Sequence, residues 1–579
     1  MKKGLLVLLV VCCLFPVFAL QNTFGPSSDE YRDLMTLCSV SGARPAIMVL
    51  PVSADQMLRI MDAIPVSKLD DVSRAMYDDL RNKLESPSVV IDQVLGNGGF
   101  AADFAIETSF QAIKQSQSEF DFLVAKKDRK PMLLIGADFF FNDFLYAKFT
   151  IDVTDIDNGA TYGSTEGYKT YTTNLMKKLG IQNNIDFTFP HKAFVSIGTN
   201  GMNLTVGRDR LSLGNGKTGN LVLGDNLWFQ DFAKASVISG TLSYGFTVMS
   251  FENTYTTRDK DGNITGYLPL KIANDYTVSR ARQMVFLHDL SFRPTSWLSL
   301  SLSEGALVYG TTALMDLRKL NPFFILHNVF DYSDGTGKNL GNMNNFFGFE
   351  LSAALPYGFA VNSQFVFDQI QLSGEHGSDN PQSAYGVLLN VTKSGSLFNG
   401  VYDAYLEGVY TSPNLYLKEK DVKCEEYWNM DLIVGKKLYW TTAGNDDVSY
   451  LGYKHGPDSV VIGAGFDWRD NKGLEVDFSA LYRIHGEQGI QFYDSQKDTT
   501  ITYGEDPDMI TGDNLERRLV LDLCVSKAFD DYLDLEGEVG FIHAANYRNT
   551  TSSFTDLQFA VSATLKVDGF FNKTELTRP

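Results

Sequence analysis

The residues best placed to do chemistry lie in one block, Gly207 to Asn226, which reads GRDRLSLGNGKTGNLVLGDN. Arg208 and Arg210 are two apart, so in a strand they share one face, with Asp209 opposite. Two guanidinium groups aimed into a polar lumen can hold carboxylates or phosphates through paired hydrogen bonds. They can equally form an internal ladder with the surplus of Asp and Glu, and both readings stand. A Gly/Asn-rich turn follows, then a short strand and Asp225-Asn226. A second group lies in the stretch DYSDGTGKNLGNMNN, read as a loop from Asp331 to Asn345, with Tyr332, Asn339, Asn342, Asn344 and Asn345. Aromatic rings and planar amides are what a sugar surface needs. Asp368, and Tyr493 with Tyr503 in a later loop, complete the candidates for ligand binding.

Other chemistries find no support. The seven His are scattered, with no HExxH or paired metal spacing. Gly216-Lys217-Thr218 resembles a P-loop end, but Leu211 stands where its first Gly belongs. Asp259, Asp261 and Asn263 suggest a calcium loop, but Ile264 and Leu270 occupy its sixth and twelfth positions. No GxSxG is present. Neither an enzyme nor a bound cofactor or metal is expected.

The chain around these residues has 579 residues, with 50 Lys+Arg against 70 Asp+Glu and a net charge of −20. Such a balance excludes a nucleic-acid partner, which requires a basic face. Aromatics at 13% argue against disorder. Lys2 and Lys3, the apolar run Gly4 to Phe18 and Val17-Phe18-Ala19 read as a secretory signal peptide over residues 1–20. No later apolar run is long enough for a membrane helix. Cys12 and Cys13 fall in that leader, leaving Cys38, Cys424 and Cys524, too few for a disulfide framework.

Residues 21–97 read as a helical region, periplasmic or plug-like. Ser28-Asp29-Glu30 caps Tyr31 to Leu37, Ser53-Ala54-Asp55 precedes Gln56 to Ala63, and Asp70-Asp71 opens a segment with Val72, Met76, Leu80 and Leu84. From residue 98 the period becomes two. Leu298, Leu300 and Leu302 alternate with serines, Leu519 to Val525 with Val520, Asp522 and Cys524, and Leu557 to Val567 continues the pattern. Segments of about ten residues, aromatic at their ends and continuing over most of the chain, predict an all-β transmembrane barrel of about 18 antiparallel strands. It should span residues 98–572, followed by a tail, 573–579. Such a barrel satisfies every backbone donor in lipid. Its partners would be outer-membrane lipid and the barrel-assembly machinery. The longer loops, Arg258 to Asn263, Asp331 to Asn345, Ser373 to Ser383 and Ser495 to Asp513, should face outward.

In this frame the block at Gly207 resembles the Wzi-type capsule-assembly family of outer-membrane barrels. Gly207-Arg208, Leu213-Gly214-Asn215-Gly216, Gly219-Asn220-Leu221 and Asp225-Asn226 carry the likeness. In order after them come Phe286-Leu287-His288, Glu304, Tyr309-Gly310, Asn321-Pro322-Phe323, Asn344-Asn345, Phe367-Asp368, His455-Gly456-Pro457-Asp458, Glu516 and Asn546. The resemblance covers residues 200 to 550. It implies an 18-stranded barrel with a helical element near its periplasmic end, and a non-catalytic role in holding surface polysaccharide on the cell's outer membrane. The C-terminus departs from the pattern, because Phe570-Phe571 stand well short of the chain end. A porin or small-solute transporter is the alternative. The sequence leaves open whether the lumen is plugged.

Overall fold

The computed structural model describes residues 20–95, 98–114, 130–153, 190–252, 254–258, 264–269, 282–310, 321, 343–369, 383–417, 431–437, 446–489, 510–529, 532–570 and 574–575. The leader and most of the long loops, with Tyr332, Asn339, Asn342, Cys424, Tyr493 and Tyr503, lie outside these residues.

Eighteen antiparallel strands close a barrel. They are β1 (Gly98–Lys114), β2 (Leu133–Phe141), β3 (Leu145–Val153), β4 (Ala193–Thr199), β5 (Met202–Asp209) and β6 (Gln230–Ser239). Next come β7 (Leu242–Glu252), β8 (Arg282–Thr295), β9 (Leu298–Gly310), β10 (Met343–Leu355), β11 (Phe359–Gln369) and β12 (Ala384–Leu397). The last six are β13 (Gly400–Thr411), β14 (Ser459–Asp470), β15 (Leu474–His485), β16 (Glu516–Phe529), β17 (Leu533–Ala545) and β18 (Phe554–Lys566). β18 pairs with β1 from Phe559↔Lys114 to Lys566↔Glu107, so the wall has no free edge.

The period-two code sorts the wall into two faces. Leu204, Val206, Leu302, Leu389 and Val561 are each about half exposed and form the lipid-facing belt. Their neighbours Thr205, Ser301, Ser303, Asn390 and Ser562 are buried on the luminal side. Short turns join the strands at one end, where Trp297, Tyr357, Phe398 and Tyr532 stay exposed as an interfacial girdle. Every long connection leaves from the other end. By the usual asymmetry of such barrels, the short turns mark the periplasmic side.

Three helices sit at the short-turn end: α1 (Asp29–Ser41), α2 (Ala54–Met61) and α3 (Asp71–Glu85). Each starts where a side chain can satisfy a free backbone donor. Ser28 accepts from Tyr31, Ser53 and Gln56 form a reciprocal capping box, and Asp70 accepts from Ser73 at 2.8 Å. Gly42 ends α1 in the left-handed conformation, φ 74°, which costs glycine little. Leu34, Leu37, Met57, Ile60, Leu80 and Leu84 pack into one core with the wall residues Phe140, Tyr146, Phe194 and Ile238.

The chain between α1 and α2 crosses the lumen as an extended strap. Its alternation serves two cores: Met48 and Leu50 face the helices, whereas Ile47 and Val49 join a second apolar core inside the barrel. The strap is pinned by Leu50 N–H to Ser212 O at 2.8 Å, by Ile47 N–H to Ser291 Oγ at 3.1 Å, and by Lys234 Nζ to the Val49 carbonyl at 3.0 Å.

Asp70 also accepts from Ser396 near the end of β12, at 2.9 Å, so one carboxylate both caps α3 and docks it. Burial raises its pKa, but the bonds from Ser73 and Ser396 outweigh that and leave it below the ordinary value. A depressed folded-state pKa gives stability that is present above the unfolded value and lost as pH falls through the folded one. Asp70→Ala should cost about 1 kcal/mol. Hydrogen exchange should show the loss in α3 at neutral pH, and it should fade below about pH 4.

Candidate functional site

Described residues of two long connections pack inside the barrel. The first, residues 210–229, carries Leu211, Leu213, Leu221, Leu223 and Leu227 into the inner core. The second, through its described residues 412–417, 431–437 and 446–458, adds Leu415, Tyr416, Leu417, Leu432, Ile433, Tyr450 and Tyr453. Luminal wall residues of β6 to β14 complete that core, including Phe232, Met249, Leu287, Phe346, Val409 and Val461.

Carboxylates on the wall hold the first insert by its backbone. Glu407 of β13, 1% exposed, accepts from Lys217 N–H and Thr218 N–H, both at 2.7 Å, and from Thr218 Oγ1 at 2.5 Å. Asn390 Nδ2 donates to its other side at 3.2 Å. Glu350 of β10 accepts from Asn215 N–H at 3.1 Å and Asn215 Nδ2 at 2.9 Å. Gln364 of β11 accepts from Leu221 N–H and donates to Asn220 Oδ1 at 2.7 Å. Tyr416 and Tyr453 bridge the two inserts: Tyr416 Oη donates to Leu221 O at 2.7 Å and accepts from Tyr453 N–H at 2.8 Å. Irregular backbone at membrane depth survives here because the protein itself supplies each of these partners.

The candidate residues fall into different places. Arg208 shares the side of Leu204 and Val206, the outward face of β5, and so does not aim into the lumen as the spacing suggested. It binds Asp231 at 2.7 Å and lies 4.0 Å from the Phe229 ring centre. Lys436 joins the same carboxylate at 2.8 Å, which makes a rim ladder of cations around an acid. Arg210 does not continue that face, because β5 ends at Asp209 and Arg210 opens the insert. Asn226 is a clamp, with Nδ2 donating to Tyr450 O at 2.9 Å and Gly452 O at 2.6 Å. Asn344 and Asn345, expected in a loop, open strand β10 opposite Leu307 and Ala306. The luminal Asn344 donates to Asp368 Oδ2 at 3.2 Å, whereas Asn345 lies on the other side of the strand.

Sequence reasoning did not single out Glu407, Glu350, Gln364, Tyr416 or Lys234. For the four wall residues the only signal was a polar residue at a luminal position of the alternation, which does not say what it faces; Tyr416, outside any strand, lacked even that. Gly456-Pro457-Asp458 has a mechanical role. Asp458 accepts from Gln488 N–H at 3.0 Å, Thr511 N–H at 2.9 Å and the Thr511 hydroxyl. Asn549 donates to His485 O and Asn514 O. Three long connections are thus tied together at the outer rim. Among the described residues no cluster of three or more His, Cys, Asp or Glu could hold a metal ion.

Fold and interior together define an outer-membrane β-barrel with an internally packed lumen. No family profile matches the sequence, and no curated protein sequence does either. Among solved structures the chain is similar to Wzi, described as an outer-membrane protein involved in group 1 capsule assembly in Escherichia coli and a carbohydrate-binding β-barrel. The identity is 12%, the TM-score 0.56, and the match covers 94% of this chain and 99% of that one. Lower similarity reaches OccD3 (OpdP) of Pseudomonas aeruginosa, with TM-score 0.37, 10% identity and 83% and 93% coverage. An anion-selective porin of Comamonas acidovorans gives TM-score 0.32, 9% identity and 81% and 100% coverage. At these identities the likeness speaks for the fold.

Proposed function

We propose that this barrel binds or anchors surface polysaccharide on the cell's outer membrane, without catalysis. Residues 1–20 act as the export signal, and the barrel-assembly machinery inserts the wall. The observation that carries this reading is the apolar core inside the lumen, built by residues 210–229, by 412–417, 431–437 and 446–458, and by the strap. A general porin keeps a polar, water-filled interior; leucines packed across the lumen oppose that use and suit a rigid platform for the outer loops. The fold-level likeness to a carbohydrate-binding barrel adds an analogy.

Purified, heat-modifiable protein should give no stable large conductance steps in a planar bilayer, and it should retain glycans on an array. Deletion of the gene should release surface polymer while small-solute uptake stays unchanged. Large, regular steps from the intact protein would favour the small-solute transporter instead.

A further inference from the structure

The luminal face of β15 and β16 is segregated by charge. Outward positions are marked by Phe478, Tyr482, Leu523 and Val525, all exposed to lipid. The opposite parity gives the luminal pairs His485↔Glu516, Arg483↔Arg518, Leu481↔Val520, Ser479↔Asp522 and Asp477↔Cys524, from the outer rim inward. Arginines therefore sit near the outer rim, with Asp522 about 14 Å and Asp477 about 20 Å deeper, at about 3.4 Å per residue. Asp477 is exposed and Asp522 half-buried.

At the outer level two cations share one acid. Arg483 Nη2 and Arg518 Nη2 each lie 2.7 Å from the same oxygen of Glu516, which is 2% exposed. Arg483 is 8% exposed, and its Nε has no hydrogen-bond partner among the described residues. His455 Nε2 and Gln488 Oε1 are likewise buried without partners. Burial, then the positive charge of Lys454, Arg483 and Arg518, holds the His455 imidazole well below its usual range, which keeps it neutral. In a chain of net charge −20, the charges that act most strongly on this imidazole, those of Lys454, Arg483 and Arg518, are all positive. Arginine forks suit planar carboxylates and phosphates.

We propose that Arg483 and Arg518 form an anion subsite that takes the acidic group of a surface glycan, a sugar carboxylate in first place. This deepens the polysaccharide reading and rests on it. Glu516 positions both guanidinium groups and competes with the ligand for them.

The test uses the full chain in detergent with four probes: hexagalacturonate, a sialylated oligosaccharide, a phosphorylated mannan fragment and neutral maltohexaose. Wild type should prefer the acidic probes, and rising salt should weaken that preference. Arg518→Gln should weaken acidic binding by about tenfold or more, while Arg518→Lys restores part of it. Glu516→Gln should strengthen acidic binding, a direction that a purely structural role does not produce. Preference for the phosphorylated probe over both carboxylates would overturn the choice of carboxylate. Equal binding of neutral and acidic probes, unmoved in Arg518→Gln, overturns the subsite while leaving the polysaccharide reading intact. Failure of every probe to bind folded wild type overturns that reading and the subsite with it. Heat-modifiable mobility of each variant shows that its barrel is folded.

Discussion

Glu407→Ala should loosen the first luminal insert while the barrel stays closed. The carboxylate is buried and accepts from two backbone N–H groups, a hydroxyl and an amide. Its removal leaves Lys217 N–H and Thr218 N–H facing a methyl group. Each orphaned buried donor costs roughly 1–3 kcal/mol, partly offset because the buried charge itself is gone. A net loss of about 3 kcal/mol corresponds to roughly a hundredfold fall in exchange protection across residues 216–221. The effect should stay local, since Glu407 contributes no hydrogen-bond partner to the lipid face. Glu407→Gln keeps one carbonyl acceptor and should lose less. If the insert narrows the lumen, Glu407→Ala should also show flickering conductance that the wild type lacks. Unchanged exchange at Gly216 to Leu221 would mean that the apolar core alone holds the insert.

That division between wall and interior explains what could be read in advance. The wall was legible because each strand repeats one physical instruction, apolar outward and small or polar inward, as in Ser299 to Ser303 between Leu298, Leu300 and Leu302. The helices were legible from caps: Ser28, Ser53 and Asp70 stand where such residues satisfy free donors. Both signals are local. The inserts were not legible, because a Gly- and Leu-rich connection reads the same whether it projects outward or folds inward. Its fate is decided by partners far along the chain, such as Glu407 for Lys217 and Tyr416 for Leu221.

The candidate site was legible only in part, for the same reason. The block at Gly207 reads as a strand, a turn and a short strand, and its described residues beyond Asp209 pack inside the barrel. The role given to its arginines depended on parity, and one residue of register decides whether a side chain meets lipid or lumen. β5 ends at Asp209, so Arg208 keeps the outward parity and Arg210 leaves the strand altogether. Asn344 looked like loop because asparagines and glycines surround it. Pairing with β9, a partner more than thirty residues earlier at Leu307, makes it wall.

The docking of α1 on the wall supports the second large expected effect. Arg469 of β14, its side chain 6% exposed, lies 2.8 Å from Asp33, 2.5 Å from Asp467 and 3.6 Å from Asp403. It also donates to Thr36 Oγ1 at 2.9 Å. Nearby Arg32 spans Glu475 at 2.7 Å and Asp467 at 3.4 Å. Arg469→Met keeps much of the volume but leaves three carboxylates facing a neutral side chain. Breaking a buried pair from one side costs about 3–5 kcal/mol, so α1 should detach from β13 and β14 while its own helical bonds persist. The pH dependence has a definite sign. Burial holds the Asp33 carboxyl above its ordinary range even with Arg469 drawing it down, and loss of Arg469 must raise it further. A raised carboxyl pKa makes the docked state bind protons more readily than the undocked one, so docking strengthens as pH falls through that value. Exchange across residues 29–41, corrected for intrinsic rate, should therefore show the largest difference between variant and wild type near neutral pH. The difference should shrink on acidification. A deficit in Arg469→Met that does not change with pH would assign the docking to packing of Leu34 and Leu37 rather than to the ionic net.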